Sequence, residues 1–145
     1  MKILTLDDRG DFIYPLIEWL EKDGHEVTDA ATIGEAEDAL REAGPFDCIV
    51  VDLNMPTDGL SLAEDAASAG GVLSGWKWLE NHVLASNPSM RSSTVILSAY
   101  LDLFQKLVTP RSKYSGVHLV AKGGESAVEL RSVLAQIKQE CEQKR

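Results

Sequence analysis

Four short apolar runs in this chain each stop on a polar side chain. Lys2 to Leu6 runs into Asp7-Asp8, Phe46 to Val51 into Asp52, Thr94 to Leu97 into Ser98, and Val117 to Ala121 into Lys122. Short apolar runs bounded by turn signals are the pattern of strands buried on both faces. Between them the apolar spacing changes to that of helices. Ile13, Leu16, Ile17 and Leu20 fall at i, i+3, i+4 and i+7 before Gly24, and Leu130, Val133, Leu134, Ile137 and Cys141 repeat the helical spacing from about Ser126 onward. Strands alternating with helices predict βαβ units, right-handed crossovers and a parallel sheet covered on both faces. The carboxyl ends of parallel strands share one edge. That edge is expected to collect two or three carboxylates, a hydroxyl and an ammonium.

The other elements follow from local signals. Pro15 lies inside the first helical pattern, so that helix either starts late, with Asp11 as its cap, or kinks near its first turns. His25 to Asp29 reads as a polar edge strand. Thr32 and Glu35 form a capping box for a helix whose inward stripe is Ala36, Ala39, Leu40 and Ala43 and which ends at Gly44-Pro45. A helix is predicted from about Gly75 to Ala85, with Trp76, Leu79 and Val83 on one face, Trp78 on another, and Asn87-Pro88 as terminator. One indole is expected in the core and the other at the surface. Tyr100 to Val108 reads as a shorter helix, Thr109 to Gly116 as a polar loop, and the last helix leads to a charged Glu-Gln-Lys-Arg end. The count is five strands and five helices in a single domain over 1–145, without internal repeats.

Composition removes several classes of function. The net charge is -9 and no basic cluster offsets it, which argues against direct nucleic-acid binding, since phosphate-backbone affinity needs a cationic face. The two cysteines, Cys48 and Cys141, match no metal or redox spacing. The chain opens directly in a strand, and no apolar stretch approaches the ~20 residues of a membrane span. A cytoplasmic protein without a membrane partner is expected.

Asp7-Asp8, Asp52-Leu53-Asn54-Met55-Pro56, Ser98-Ala99 and Lys122, in that order, resemble the receiver domain of two-component response regulators over nearly the whole chain. The resemblance implies a stand-alone, chemotaxis-type receiver: a flavodoxin-like (βα)5 doubly wound domain with a five-stranded parallel sheet in the order 2-1-3-4-5. It implies Asp52 as phosphoacceptor, an aspartate carboxylate being a nucleophile that forms an acyl phosphate. An anionic phosphoryl group approaching a carboxylate calls for a divalent cation, Mg²⁺ or Mn²⁺. By the same resemblance Asp8 and Asp52 are direct ligands, the backbone carbonyl of Asn54 is a third, and Asp7 acts through a metal-bound water. Lys122 and Ser98 would contact phosphoryl oxygens, and recruitment of Ser98, with the loop at Ala99 and Tyr100, would form the switch. The plainer alternative for Ser98 is a cap on the helix that follows.

The chain departs from the family pattern in three places. Receivers carry an aromatic residue three places before the lysine, and Leu119 stands there. Aromatic coupling is therefore not carried over: Leu119 moves more simply, His118 or Tyr114 takes a related role, or the output surface differs. His118 itself reads as a surface residue. Gly123 replaces the usual proline after the lysine, and Tyr100, if not packing filler, is expected to slow hydrolysis of the acyl phosphate. The largest departure is length. Asp52 to Ser98 spans 46 residues, where a whole βαβ unit needs about 30. Residues 60–74 read as an insertion with a short helix capped by Ser61 and a return at Gly70-Gly71. Rooted beside Asp52, it is expected to form a lid over the site or a partner-docking element.

The expected function is that of a phosphoacceptor response regulator in a two-component or phosphorelay system. Asp52 would take a phosphoryl group from a histidine kinase or a histidine phosphotransfer protein and change contacts with a downstream protein. No output domain is expected, nor any enzymatic activity beyond the chain's own phosphorylation and dephosphorylation. Two alternatives stand beside this. Leu119, Gly123 and the insertion favour a receiver-like adaptor without regulated phosphorylation. A Mg²⁺-dependent aspartyl phosphatase needs a second acid or base just beyond its nucleophile, and Asn54 cannot serve.

Overall fold

A computed structural model describes residues 1–144; residue 145, the last of the expected charged end, lies outside the described residues. Strands β1 (Lys2–Leu6), β2 (Glu26–Ala30), β3 (Cys48–Val51), β4 (Thr94–Ser98) and β5 (His118–Ala121) form one parallel sheet in the order β2-β1-β3-β4-β5. This is the expected flavodoxin-like order. Side chains alternate along each strand between two cores. Ile3, Cys48, Val50, Val95 and Leu97 enter one, and Leu4, Ile49, Val51 and Ile96 the other. Both faces are apolar, so the strands read as continuous runs.

Helices α1 (Gly10–Lys22) and α6 (Ser126–Gln143) close the first core with Ile13, Leu16, Ile17, Leu20, Leu130, Leu134 and Ile137. Helices α2 (Ile33–Glu42), α4 (Ser74–Trp78) and α5 (Leu101–Leu107) close the second with Ile33, Ala36, Trp76, Trp78 and Phe104. Full burial of each large apolar side chain is worth about 1.5–3 kcal/mol.

Several local expectations change. Helix α1 begins at Gly10, ahead of Asp11, so it neither starts late nor uses Asp11 as its cap. Instead Asp7 Oδ1 accepts the Arg9 N–H at 2.8 Å and turns the chain into the helix. Pro15 is tolerated on the exposed side, where its missing N–H forfeits only the bond to the Asp11 carbonyl. At α2 the Thr32 hydroxyl accepts the Glu35 N–H at 3.1 Å, while the Glu35 carboxylate reaches the Ala31 N–H rather than that of Thr32. Thr109 to Gly116 is more than a polar loop: Arg111–Tyr114 forms a 3-10 turn that buries Tyr114, its ring 4.8 Å from that of Phe104. His118 is half-buried, with Nε2 3.1 Å from the Ser92 carbonyl oxygen.

The insertion adds a sixth helix, α3 (Leu62–Ala66), to the five expected. Its capping box is reciprocal: the Ser61 hydroxyl accepts the Glu64 N–H at 3.1 Å and Glu64 Oε1 accepts the Ser61 N–H at 3.0 Å. The helix expected over 75–85 is present with a change of pitch, α4 passing into a π-helical stretch over Leu79–Leu84. Trp76 and Trp78 are both buried, 1% and 0% exposed, against the expectation that one lies at the surface. Trp76 meets Phe104 of α5 edge-on at 5.2 Å, and α3 packs on the same helix. Flanked on both sides, α4 leaves neither indole at a surface.

The insertion's return limb is rooted in the chain around Asp52. The Ser74 hydroxyl accepts the Met55 N–H at 2.8 Å and lies 2.5 Å from the Met55 carbonyl and 2.8 Å from that of Gly71, to one of which it donates. The Gly75 N–H donates to the Leu53 carbonyl at 2.8 Å, and a Cβ at Gly75 would lie 1.9 Å from the Asp52 carbonyl oxygen. Gly75→Ala therefore opposes two effects. Helix propensity favours alanine by about 1 kcal/mol, while the clash with rigid backbone costs about 2–3 kcal/mol or more. Urea unfolding is expected to show net destabilisation. A stabilised Gly75→Ala protein would contradict the close approach.

Candidate functional site

The carboxyl ends of β1, β3 and β5 converge as expected. Hydrogen bonds from the Asp7 N–H to the Ala30 carbonyl (3.1 Å) and from the Asp52 N–H to the Leu6 carbonyl (2.8 Å) extend the sheet by one residue at β1 and β3. They fix both carboxylates at the edge. Asp7 and Asp52 are each 5% exposed, whereas Asp8 is exposed. Ligand oxygens of Asp7, Asp8 and Asp52 all lie within 4.8 Å of one another. Between the two buried carboxylates stands Lys122, with Nζ 2.8 Å from Asp7 Oδ2 and 3.1 Å from Asp52 Oδ2. Its N–H bonds the Ser98 carbonyl at 3.0 Å, and its ammonium lies 4.6 Å from the centroid of the Phe12 ring.

These groups surround an open cleft of about 290 Å³, lined by Asp8, Arg9, Asp52, Asn54, Ala99, Tyr100 and Lys122. Most of the residues expected at the site are therefore together. Ser98 lies behind the wall of the cleft: it is fully buried, and its hydroxyl accepts the Tyr100 N–H at 3.0 Å. This is a turn within the loop and not the helix cap expected as its alternative, since α5 has Tyr100 as its N-cap residue and no side-chain cap bond. Leu119 is partly buried, pairs with Ile96 across the sheet and packs into the second core, the one that holds Tyr114 and Phe104.

Burial pushes the Asp52 carboxyl up from its ordinary value more than the Lys122 charge draws it down, and the neighbouring Asp7 adds to the rise. Burial alone would lower the Lys122 ammonium, but its hydrogen bond to Asp7 and the charges of Asp52 and Asp7 hold it above its ordinary value. Asp52 Oδ1 is buried without a hydrogen-bond partner among the described residues. An orphaned anionic oxygen beside two further carboxylates and a single ammonium fits the hard-oxygen donor set of a divalent cation such as Mg²⁺.

The insertion does not form a lid in this structure, since no residue from 60 to 74 lines the cleft. It folds back onto the π-helical stretch instead. Glu64 Oε2 accepts from Asn81 Nδ2 at 2.9 Å and lies 2.8 Å from His82 Nε2. Bonds from the Ser61 N–H, Asn81 and His82 hold the Glu64 carboxyl down at about 2. Three residues of the site were not foreseen. Arg9 lines the cleft with its guanidinium turned 3.4 Å to Asp11, Phe12 lies under Lys122, and Gly75 packs on the Asp52 carbonyl. The first two sit within five residues of Asp7-Asp8 on the following turn, the one signal that marks them.

No protein-family model matches the chain, and no curated protein matches it by sequence. Among solved structures it is similar to a response regulator receiver domain protein from Clostridium thermocellum, at 20% identity over 99% of this chain and 98% of that one, with a TM-score of 0.71. A CheY-like receiver domain protein from Methanospirillum hungatei is 19% identical over 98% and 97%, with a TM-score of 0.70. A response regulator from Thermotoga maritima, solved with Mg²⁺ and BeF, is 20% identical over 94% and 97%, with a TM-score of 0.61. At these identities the likeness is one of fold: the chain has the CheY-like, flavodoxin-type fold of response regulator receiver domains.

The charge arrangement predicts a pH-dependent cost. The folded Asp52 carboxyl binds its proton more tightly than at its ordinary 3.8, so its burial costs nothing below that pH and costs most once pH has risen past the folded value. Lys122→Met removes the charge that limits this cost. The variant is expected to lose about 2 kcal/mol at pH 7 in urea unfolding, with the difference from the parent protein shrinking as pH falls toward 4. A loss of equal size at every pH would contradict the coupling.

Proposed function

We propose that the chain is a phosphoacceptor receiver in which Asp52 takes a phosphoryl group from a phosphohistidine of a kinase or phosphotransfer protein. The observation that carries this reading is Asp52, which lines an open cleft with Asp8 and Lys122, lies beside Asp7 and has a buried Oδ1 without a hydrogen-bond partner among the described residues. The Asp52 oxygen forms a bond to phosphorus as the P–N bond of the donor breaks, and the donor imidazole keeps the electron pair. Asp8, Asp52 and the Asn54 carbonyl are the residues that would hold Mg²⁺ or Mn²⁺, with Asp7 acting through water. The cation supplies charge neutralisation for the transferring group, in line with the Mg²⁺ and BeF bound by the Thermotoga relative.

The chain's own residues do the rest. Lys122, already held between Asp7 and Asp52, gives its ammonium to a phosphoryl oxygen once Asp52 carries the acyl phosphate. Ser98 now holds the Tyr100 N–H; turning its hydroxyl to the phosphoryl group would release that bond and free Ala99 and Tyr100 to move the start of α5. Leu119 follows within the second core beside Tyr114 and Phe104. Tyr100, at the cleft wall, restricts water and slows hydrolysis. The signal then passes to a downstream protein by contact, and the chain's catalysis is confined to its own phosphorylation and dephosphorylation.

A small phosphodonor with Mg²⁺ is expected to label the protein, Asp52→Asn to abolish the label, and chelation of Mg²⁺ to slow labelling by about two orders of magnitude or more. Label that persists in Asp52→Asn sinks the assignment.

A further inference from the structure

Asn54 stands exposed in the cleft between two buried neighbours, Leu53 and Met55. Both neighbours are gripped where the insertion rejoins the domain. Ser74, itself fully buried, accepts the Met55 N–H at 2.8 Å, and the Gly75 N–H donates to the Leu53 carbonyl at 2.8 Å. The first of these bonds decides more than the position of Met55. The Met55 N–H and the Asn54 carbonyl belong to one planar peptide unit, and that unit is trans, since the cis bonds among the described residues are Gly44-Pro45 and Thr109-Pro110. In a trans unit the carbonyl points opposite to the N–H. The bond to Ser74 therefore sets the direction of the Asn54 carbonyl, away from the buried hydroxyl.

Ser74 is braced in turn by the insertion. Its N–H donates to the Gly71 carbonyl at 3.1 Å, and its hydroxyl lies 2.8 Å from the same oxygen. The Gly71 N–H donates to the Ser68 hydroxyl at 3.1 Å, and that hydroxyl donates to the Asp65 carbonyl of α3 at 2.7 Å. Ser68 is fully buried as well, and its carbonyl accepts the Leu73 N–H at 2.8 Å. Between the two serines the chain turns through Ala69, Gly70 and Gly71, with Ala69 at φ 54°. A left-handed alanine persists only where its surroundings hold it. Two buried hydroxyls thus link α3 to the peptide unit that carries the Asn54 carbonyl.

We infer that Ser74 is the positioning residue of the cation site, holding the Asn54 peptide unit so that its carbonyl is offered to a divalent cation together with Asp8 and Asp52. The inference rests on the reading of those three groups as the ligands. It gives the insertion, whose last residue is Ser74, a part in the site played from behind the loop and not as a lid. Mg²⁺ demands near-ideal octahedral geometry, so a ligand carbonyl free to rotate weakens the site. Groups that orient metal ligands from outside the coordination sphere are commonly worth about 10–100-fold in affinity. Without the Ser74 hydroxyl, the buried Met55 N–H loses its partner, and the peptide unit is free to turn and take the carbonyl with it.

The test titrates Mg²⁺ alone into the full chain and follows the amide shifts around Asp52 and the carbonyl carbon of Asn54 by NMR. Ser74→Ala is expected to weaken Mg²⁺ binding about tenfold or more and to diminish the Asn54 carbonyl shift at saturation. Ile137→Val, which trims a buried side chain in the other core, should lower the melting temperature and leave Mg²⁺ binding unchanged. If Ser74→Ala melts before it can be titrated, Ser74→Cys supplies a weaker acceptor at similar volume and should lose affinity in the same direction. Equal Mg²⁺ affinity in the parent protein and the folded Ser74 variant, or an equal loss in Ile137→Val, overturns the inference and leaves the phosphoacceptor reading standing. A parent protein whose Asp52 region does not respond to Mg²⁺ overturns both, and that result appears before any substitution is made.

Discussion

The Lys122 ammonium, 2.8 Å from Asp7 and 3.1 Å from Asp52, is the contact on which the candidate site depends. It is the price of bringing two buried carboxylates to one sheet edge, and it is incomplete. Among the described residues Lys122 is the cation in contact with these carboxylates, while Arg9, in the same cleft, pairs with Asp11. Burial, with Asp7 adding to it, raises the Asp52 carboxyl, and Asp52 Oδ1 has no hydrogen-bond partner among the described residues. A site in that condition is stabilised by anything that adds positive charge, which is why a divalent cation and a phosphoryl group held by Lys122 belong to one account.

The same edge explains how the insertion relates to the site. Its return limb is anchored to Leu53 and Met55 through Ser74 and Gly75, within three residues of Asp52. Its helix α3 is anchored at the other end to Asn81 and His82. The segment thus runs from the chain just after Asp52 to the π-helical stretch without lining the cleft. Both ends are specified by polar groups with named partners, not by apolar burial alone.

Much of this was legible from residues. The continuous apolar runs of the strands and the helical stripe at Ile13, Leu16, Ile17 and Leu20 predicted a parallel sheet covered on both faces, because both patterns report burial directly, whereas the strand order was implied by the resemblance to receiver domains. The polar residues ending each strand predicted the edge cluster, since parallel strands have only one place to put them. Other features depended on contacts between distant segments. Trp78 and Tyr114 are buried by helices and turns that no local pattern announces, and Ser98 is turned to the Tyr100 N–H by the geometry of its own loop. The insertion's helix was readable from Ser61 and Glu64, but its direction was not, because Asn81 and His82 lie seventeen and eighteen residues further on. Lys122 was legible as a cation at the site, whereas its seat on Phe12 was not.

The charge imbalance at Asp52 is measured most directly by following its side-chain carboxyl carbon through a pH titration by NMR, with and without Mg²⁺. The account predicts an Asp52 midpoint above its ordinary 3.8 in the metal-free protein and a marked fall when Mg²⁺ is added, as the cation takes over the surplus charge. An Asp52 midpoint at or below 3.8 that Mg²⁺ leaves unchanged would contradict it.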